Sequence, residues 1–338
     1  MPPPPFPLPP PPLPEPADDL LLADFAIGHA SDRQGMTGVT VVLCPQGATA
    51  AAEVRGSATG TRQFDALVAA HHVSSRAHAV VLAGGSAFGL SAADAVVDHL
   101  AARGSGFRTP VGVVPLVPTA ILFDLAFGDP TAHPHRSLAE AAVAAAGRGA
   151  VPMGSVGAGT GATVGKALGP PCGMKGGFGF ARLTVPGGVT VAAAAAVNAF
   201  GDVCDPRDGR VVAGCRLDPQ SHRLADARRV LAALPPEPGH PWEGNTTLAV
   251  LMTDADLGKG ALLKVCQMAF GAFYRTLAPA LSLYDGDLVV ALASAQRPAH
   301  PHQVGVLAEA ALATAILRAV ERADGFGRLP AMRDLQPE

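Results

Sequence analysis

Apolar residues fall along this chain in two rhythms: short unbroken runs, and longer segments in which they recur every three or four positions. "TGVTVVLCP" (37–45) is of the first kind and reads as a buried strand. Residues 77–106, "AHAVVLAGGSAFGLSAADAVVDHLAARGSG", read as a strand, a glycine turn and an amphipathic helix ending at Gly104. A second helix is expected over 137–149, and a β-hairpin over 180–203 with Gly-Gly at its turn. A short helix over 225–234 leads into the proline-rich loop "PPEPGHPWEGN" (235–245). The remainder reads as strand (246–255), long helix (258–278), strand (288–294) and closing helix (304–323). Hairpins standing beside strand–helix units favour a layered α/β sandwich with mixed sheets over a doubly wound parallel sheet. No internal repeat is seen.

Composition narrows the function classes. The chain has 338 residues, 49% hydrophobic and 16% charged, ample for a large core. A formal charge of −3, with one Trp and two Tyr, argues against nucleic acid and anionic membranes as partners. No apolar segment stands out as a membrane span, and no partner beyond a small-molecule substrate is indicated. Residues 1–19, "MPPPPFPLPPPPLPEPADD", lack the basic region and proline-free apolar run of a signal peptide and read as a disordered or polyproline tail. The five cysteines are scattered, odd in number and without C-x-x-C spacing, as expected for reduced, buried thiols of a cytoplasmic protein.

Several motifs invite chemistry, and most have a plainer explanation. "GGSAFG" (84–89) places Ser86 as in a nucleophile elbow, but Phe88 stands where the elbow requires glycine, so a tight turn before a helix explains it better. "GSVGAGTGATVGKALG" (154–169) fails the phosphate-binding pattern at both ends, with Thr160 in place of a glycine and Ala167 after Lys166. It is a loop whose backbone approaches something closely and carries one lysine, Lys166. The two His-Pro-His stretches, 133–135 and 300–302, lack convergent ligand spacing, so neither a metal nor a cofactor is expected. Asp285-Gly-Asp287 is ordinary turn chemistry, or a carboxylate pair facing one site. Asn198 ends an apolar strand, where it either caps the strand or aims its amide at developing negative charge.

Thr246 and Thr247 follow Gly-Asn and open a strand. Thr-Thr is a common strand start. A second reading is chemical. A threonine hydroxyl needs a base, and a free α-amine on the same residue is one. Thr246 acquires such an amine if its hydroxyl attacks the Asn245 carbonyl and water then cleaves the resulting ester. The proline-rich loop before it and the firm strand after it suit that step.

Taken together, the segments resemble the L-aminopeptidase D-amidase/esterase family, which includes β-aminopeptidases and hydrolases of 6-aminohexanoate (nylon) oligomers. The likeness is carried in order by "TGVTVVLCPQGATAAAEVRGSATGTRQFD", "AHAVVLAGGSAFGLSAADAV", "VPTAILFDL", "GSVGAGTGATVGKALG", "MKGGFG", "AVNAFGDV", "GNTTLAVLMTDA" and "DGD". The resemblance implies a four-layer α/β/β/α sandwich of the N-terminal-nucleophile-hydrolase type. It implies self-cleavage between Asn245 and Thr246, giving a 20–245 and a 246–338 fragment of one catalytic domain, assembled as a homo-oligomer. It makes Thr246 the nucleophile, Lys166 its neighbour, Asn198 a group near the oxyanion, and Asp285 and Asp287 the acids that orient and charge-balance it. The implied activity is release of N-terminal residues from small peptides, amides or esters, or cleavage of ω-amino acid oligomers. The alternative is a decayed member that binds small molecules without turnover. Two departures bear on substrate choice: Ser282-Leu283 replaces a His-Thr of many relatives, and Phe123 stands where some carry a tyrosine.

Overall fold

The computed structural model describes residues 12–233 and 244–335. Nine strands join in one continuous hydrogen-bonded sheet. In chain order they are β1 (Ala26–Asp32), β2 (Thr37–Val54), β3 (Gly60–Arg62), β4 (Arg76–Ala83), β5 (Thr119–Ile121), β6 (Gly177–Thr184), β7 (Thr190–Asn198), β8 (Thr246–Asp256) and β9 (Leu288–Pro298). Their lateral order is β6-β7-β8-β9-β2-β4-β5-β3, with β1 on the first half of β2. The β8/β9 and β4/β5 pairs are parallel and the rest antiparallel, so the sheet is mixed.

This sheet folds back on itself through β2. That strand is 18 residues long, and its pairing with β4 slips register between Leu43 and Ala48. Residues before the slip pair with β1, and Thr49–Val54 pair with β9. Alternation along the strands then sorts side chains into layers. Val42, Val80 and Leu82 from one half meet Leu248, Val250 and Val290 from the other, forming the central core. On one outer face Val39, Val41 and Val81 pack under α1 (Ala92–Ala101) and α2 (Arg136–Ala144). On the other, Ala249, Leu251 and Val289 pack under α3 (Lys259–Thr276) and α4 (Pro301–Glu321). The order is helices, sheet, sheet, helices: a layered sandwich as the pattern of elements predicts, with the four layers that the resemblance implies.

Small residues set the spacing. Ala192 to Ala196 run uninterrupted along β7. Helix α4 lies so close to β6 that a Cβ on Gly179 would fall 1.8 Å from the Ala315 carbonyl oxygen. One 18-residue window of α4 has a mean hydropathy of 1.5, long and apolar enough to cross a bilayer, which the sequence reading did not single out. Here that surface is used internally, with Leu312, Ile316 and Ala319 in the core beneath the sheet.

Residues 16–19, the end of the segment read as tail, are held against the body. Ala17 and Asp19 form bridges to Arg182 and Ala150, and Asp18 pairs with Arg318 at 2.9 Å. Residues 1–11 of the expected tail, residue 234 at the end of the expected short helix, and 235–243 of the expected proline-rich loop lie outside the described residues.

Candidate active site

Strand β8 begins at Thr246, and the sheet register sets Thr246 directly opposite Asn198, the last residue of β7. Thr246 is only 2% exposed. The residue before it is held by the loop that precedes β9. The Asn245 N–H donates to the Tyr284 carbonyl at 2.8 Å, and the Asn245 carbonyl accepts the Gly286 N–H at 2.8 Å. The Thr246 hydroxyl donates to that same Asn245 carbonyl oxygen. Two donors thus converge on the carbonyl of a single peptide bond, one from backbone and one from the neighbouring side chain. A Cβ on Gly244 would lie 3.0 Å from Phe123 Cβ, so the chain enters this site close against that ring.

The 285–287 loop is itself fixed by the turn after β2. Gly56 N–H donates to the Asp287 carbonyl at 2.9 Å and Ala58 N–H to the Asp285 carbonyl at 3.0 Å. Both carboxyls are buried. Asp285 accepts from Phe200 N–H at 3.0 Å and from the Ser282 hydroxyl at 2.5 Å. Asp287 accepts from Thr247 N–H at 2.7 Å. Burial pushes both carboxyls above the ordinary carboxylate range. The charge of Asp285 pushes Asp287 further up, whereas the Ser282 hydroxyl, the Phe200 N–H and Lys166 work against the rise at Asp285. Asp285 is therefore the better placed of the two to carry the negative charge.

Lys166 follows Gly165, which turns at φ +70°. Its Nζ lies 2.9 Å from both the carbonyl and the hydroxyl of Thr163, 3.1 Å from Asn198 Oδ1 and 3.3 Å from the Asn198 carbonyl. Asn198 Oδ1 also accepts Thr163 N–H at 2.9 Å, while its Nδ2 donates to the Phe123 carbonyl at 2.9 Å. Phe123 therefore contributes its backbone carbonyl here. The residues to which the resemblance gives a part in the site (Lys166, Asn198, Asn245, Thr246, Asp285 and Asp287) sit in this one buried cluster.

Sequence reasoning missed one role and two other members. Ser282, noted above as a departure bearing on substrate choice, caps Asp285, and its Ser-x-x-Asp spacing was the available signal. Leu283 beside it is 77% exposed. Asp124 is buried, accepts the Gly85 N–H at 2.6 Å and the Thr37 hydroxyl at 2.8 Å, and is pushed up to about 6 by burial. Lys175 is fully buried. Its Nζ donates to the carbonyls of Gly159, Ala162 and Gly176 at 2.8, 2.7 and 3.0 Å, and burial lowers it to about 7. It ties down the glycine-rich loop that carries Thr163, and its only sequence signal was its place before two glycines.

A cavity of about 210 Å³ opens on the cluster, with Thr163, Lys166, Gly244 and Asn245 in its wall together with Phe127 and Arg328. The other sequence candidates lie elsewhere in the architecture. Ser86 sits in the glycine turn at φ +53°. His300 caps α4 by accepting the His302 N–H at 3.2 Å, and His133 stacks on Phe88 at 5.2 Å. All five cysteines are free and buried.

Known proteins resemble this chain along most of its length. The profile of Peptidase family S58 matches residues 22–324. An uncharacterized aminopeptidase of Mycobacterium tuberculosis is 36% identical over 318 residues, covering 89% of this chain and 90% of the relative. A 6-aminohexanoate-oligomer endohydrolase of Paenarthrobacter ureafaciens is 31% identical over 282 residues, covering 81% and 75%. Among solved structures, a β-aminopeptidase of Burkholderia sp. superposes with a TM-score of 0.68 at 18% identity, covering 96% of this chain and 94% of that one. The L-aminopeptidase D-Ala-esterase/amidase of Ochrobactrum anthropi, described as a variant of the Ntn-hydrolase fold, also gives 0.68 at 18% identity, with 92% and 88% covered. These two likenesses establish the fold.

Proposed function

The chain belongs to peptidase family S58, and on that premise we propose that it is a self-processing amidohydrolase whose nucleophile is the N-terminal threonine exposed by its own cleavage. The observation that carries this reading is the convergence on the Asn245 carbonyl oxygen of the Gly286 N–H at 2.8 Å and the Thr246 hydroxyl.

In the first step the Thr246 oxygen bonds to the Asn245 carbonyl carbon, and negative charge moves onto the carbonyl oxygen. The Gly286 N–H already points at that atom, so the donor needs no reorganisation as charge develops. The C–N bond breaks, the hydroxyl proton passes to the Thr246 nitrogen, and an ester links the two parts. Water hydrolyses the ester, leaving an Asn245 carboxylate and a free Thr246 α-amine. Nucleophile and carbonyl are neighbours in one chain, so no second encounter is required.

In the second reaction the α-amine, with an ordinary pKa near 8, takes the hydroxyl proton. The hydroxyl oxygen attacks the substrate carbonyl, whose oxygen takes the place of Asn245's. The leaving amine departs with that proton, and water releases the acyl group as an acid. Asn198 and Lys166 hold the end of β7 against Thr246, and Asp285 balances the lysine charge. The small cavity beside Asn245 suits a small substrate. The reading is therefore of an aminopeptidase acting on small peptides, amides or esters. The names of the relatives support it and bring ω-amino acid oligomers into the same class. A reducing compartment accords with five free buried thiols.

The test is direct. The purified chain is run on a denaturing gel, the small fragment is sequenced from its N-terminus, and turnover is measured on p-nitroanilides of L-, D- and β-amino acids and on the 6-aminohexanoate dimer. Fragments 1–245 and 246–338, with hydrolysis of at least one substrate, are expected. Active enzyme that is wholly uncleaved, or a small fragment beginning elsewhere, overturns the mechanism.

A further inference from the structure

We propose that Arg328 receives a carboxylate on the leaving side of the substrate, so that the enzyme selects short peptides or amino-acid oligomers ending in a free acid over the corresponding amides. This rests on the function proposed above and specifies its substrate class.

Arg328 stands on the segment that follows α4 and returns over the cavity. That segment is anchored at both ends. Asp324 N–H donates to the Ser155 hydroxyl at 2.9 Å, and the Pro330 carbonyl accepts Lys175 N–H at 2.9 Å. Between them is a tight turn. Arg328 N–H donates to the Gly325 carbonyl at 2.9 Å, and a Cβ on Gly325 would meet the Leu329 carbonyl oxygen at 1.8 Å. The turn brings Arg328 into the wall of the cavity that also holds Asn245, Thr163 and Lys166.

The guanidinium is left with little to do. Two other arginines of this region are engaged: Arg333 pairs with Asp324 at 2.9 Å and Arg318 with Asp18 at 2.9 Å. Among the described residues, Arg328 has one long hydrogen bond, Nη1 to the Phe127 carbonyl at 3.4 Å, and no carboxylate partner. Most of its fork of N–H donors is unspent, in the geometry that grips a carboxylate through two bonds. The other two cations near the cavity are unsuited to the task. Lys166 is wrapped by oxygens of Thr163 and Asn198, and Lys175 is fully buried with its ammonium on three carbonyls. Among the described residues of the cavity wall, Arg328 is therefore the cation able to turn to an entering acid group. Phe123 and Phe127 line the intervening wall, which suits a short apolar spacer between the amide cleaved and the acid recognised.

The test compares an aminoacyl-glycine dipeptide with the matching aminoacyl-glycinamide, using the aminoacyl group whose p-nitroanilide is cleaved fastest. The native enzyme should favour the acid by about tenfold in kcat/KM, chiefly through KM, a value between those of an exposed ion pair and a buried charge-assisted hydrogen bond. In Arg328→Gln the acid-to-amide ratio should fall to about one, and Arg328→Lys should recover part of it, as expected for a charge lacking the planar fork. Self-cleavage of each variant reports that it has folded. Equal turnover of acid and amide by the native enzyme, or a preference that survives Arg328→Gln, overturns the assignment while leaving the amidohydrolase reading intact. Failure to cleave any substrate overturns both.

Discussion

Gly286→Ala is the sharpest single perturbation of the proposed chemistry. Gly286 does not occupy the left-handed region, so alanine suits its backbone, and the consequence is purely spatial. A Cβ there would lie 2.6 Å from the Ala58 carbonyl oxygen and 2.8 Å from Thr246 Oγ1. Ordinary contact begins near 3.4 Å, so relief requires a displacement of up to about 0.8 Å. Ala58 yields poorly, because its N–H is bonded to the Asp285 carbonyl at 3.0 Å. Movement falls instead on the 286 backbone and the threonine rotamer. The 2.8 Å bond from Gly286 N–H to the Asn245 carbonyl then lengthens beyond useful range, and the nucleophile is pushed from its position. Loss of one such donor costs on the order of 10²–10³ in rate. Overpacking of this size costs about 1–3 kcal/mol of stability, which a domain with so large a core tolerates. The expected result is a folded chain that cleaves itself about a hundredfold more slowly. The assay follows the intact chain into fragments 1–245 and 246–338 on denaturing gels after cell-free synthesis, alongside a circular dichroism melt. A Gly286→Ala chain that processes at the native rate would refute the role given to this amide.

Thr246→Ala should remain a single inactive chain on the same gels, Thr246→Ser should still process because the hydroxyl survives, and Thr247→Ala should still process, which separates the two threonines. Lys166→Ala and Asn198→Ala should each lower turnover by roughly a hundredfold or more in the p-nitroanilide assay, with near-native circular dichroism, since each removes a group that fixes the oxyanion surroundings. Lys175 carries a pH signature. Burial lowers it to about 7 in the fold, and an unfolded lysine titrates near 10.4. Between those values the unfolded chain binds the additional proton, so stability rises with pH by up to about 1.4 kcal/mol per unit. The contribution is suppressed below about 7 and regained towards the unfolded value. Urea unfolding from pH 7 to 10 should show a shallower rise in Lys175→Met than in the native chain; parallel curves would count against the buried, proton-releasing lysine.

The parts of this molecule legible in the sequence are those set by local pattern. The hairpin of β6 and β7, the helix after the 84–89 turn and the long helix after β8 each follow from periodicity and turn residues within one segment. Strand β2 shows where that logic stops. Its sequence reading ended at Pro45. In the fold the strand continues through that point, because Pro45 falls where pairing with β4 slips and a missing N–H costs nothing, while Gly47 turns at φ +78°. At the site, Thr246 drew attention by its context and Lys166 by its glycine loop, but it was the resemblance that gave each a role. Asp124 and Lys175 were not, since their meaning lies in partners remote in the chain: Gly85 and Thr37 for the acid, three loop carbonyls for the lysine. Gly286 was read as half of a turn. What it does depends on Ala58, Asn245 and Thr246 arriving from other elements.

The position of β8 and β9 gives the proposed cut a lasting effect. Both strands belong to the 246–338 portion, yet they lie in the interior of the sheet, with β7 on one side and β2 on the other, both from the first portion. Before cleavage, the chain reaches this interleaved state by a unimolecular route, with the order of assembly written into its connectivity. Afterwards the same contacts hold two polypeptides, and nothing tethers one to the other. Once melted, they must find each other by collision, so recovery becomes second order and falls steeply on dilution. Cleavage thus turns a reversible folding equilibrium into a state that the molecule can leave but not readily re-enter. The lifetime of the mature form is then governed by how slowly that sheet opens, more than by the free energy difference between folded and unfolded chains.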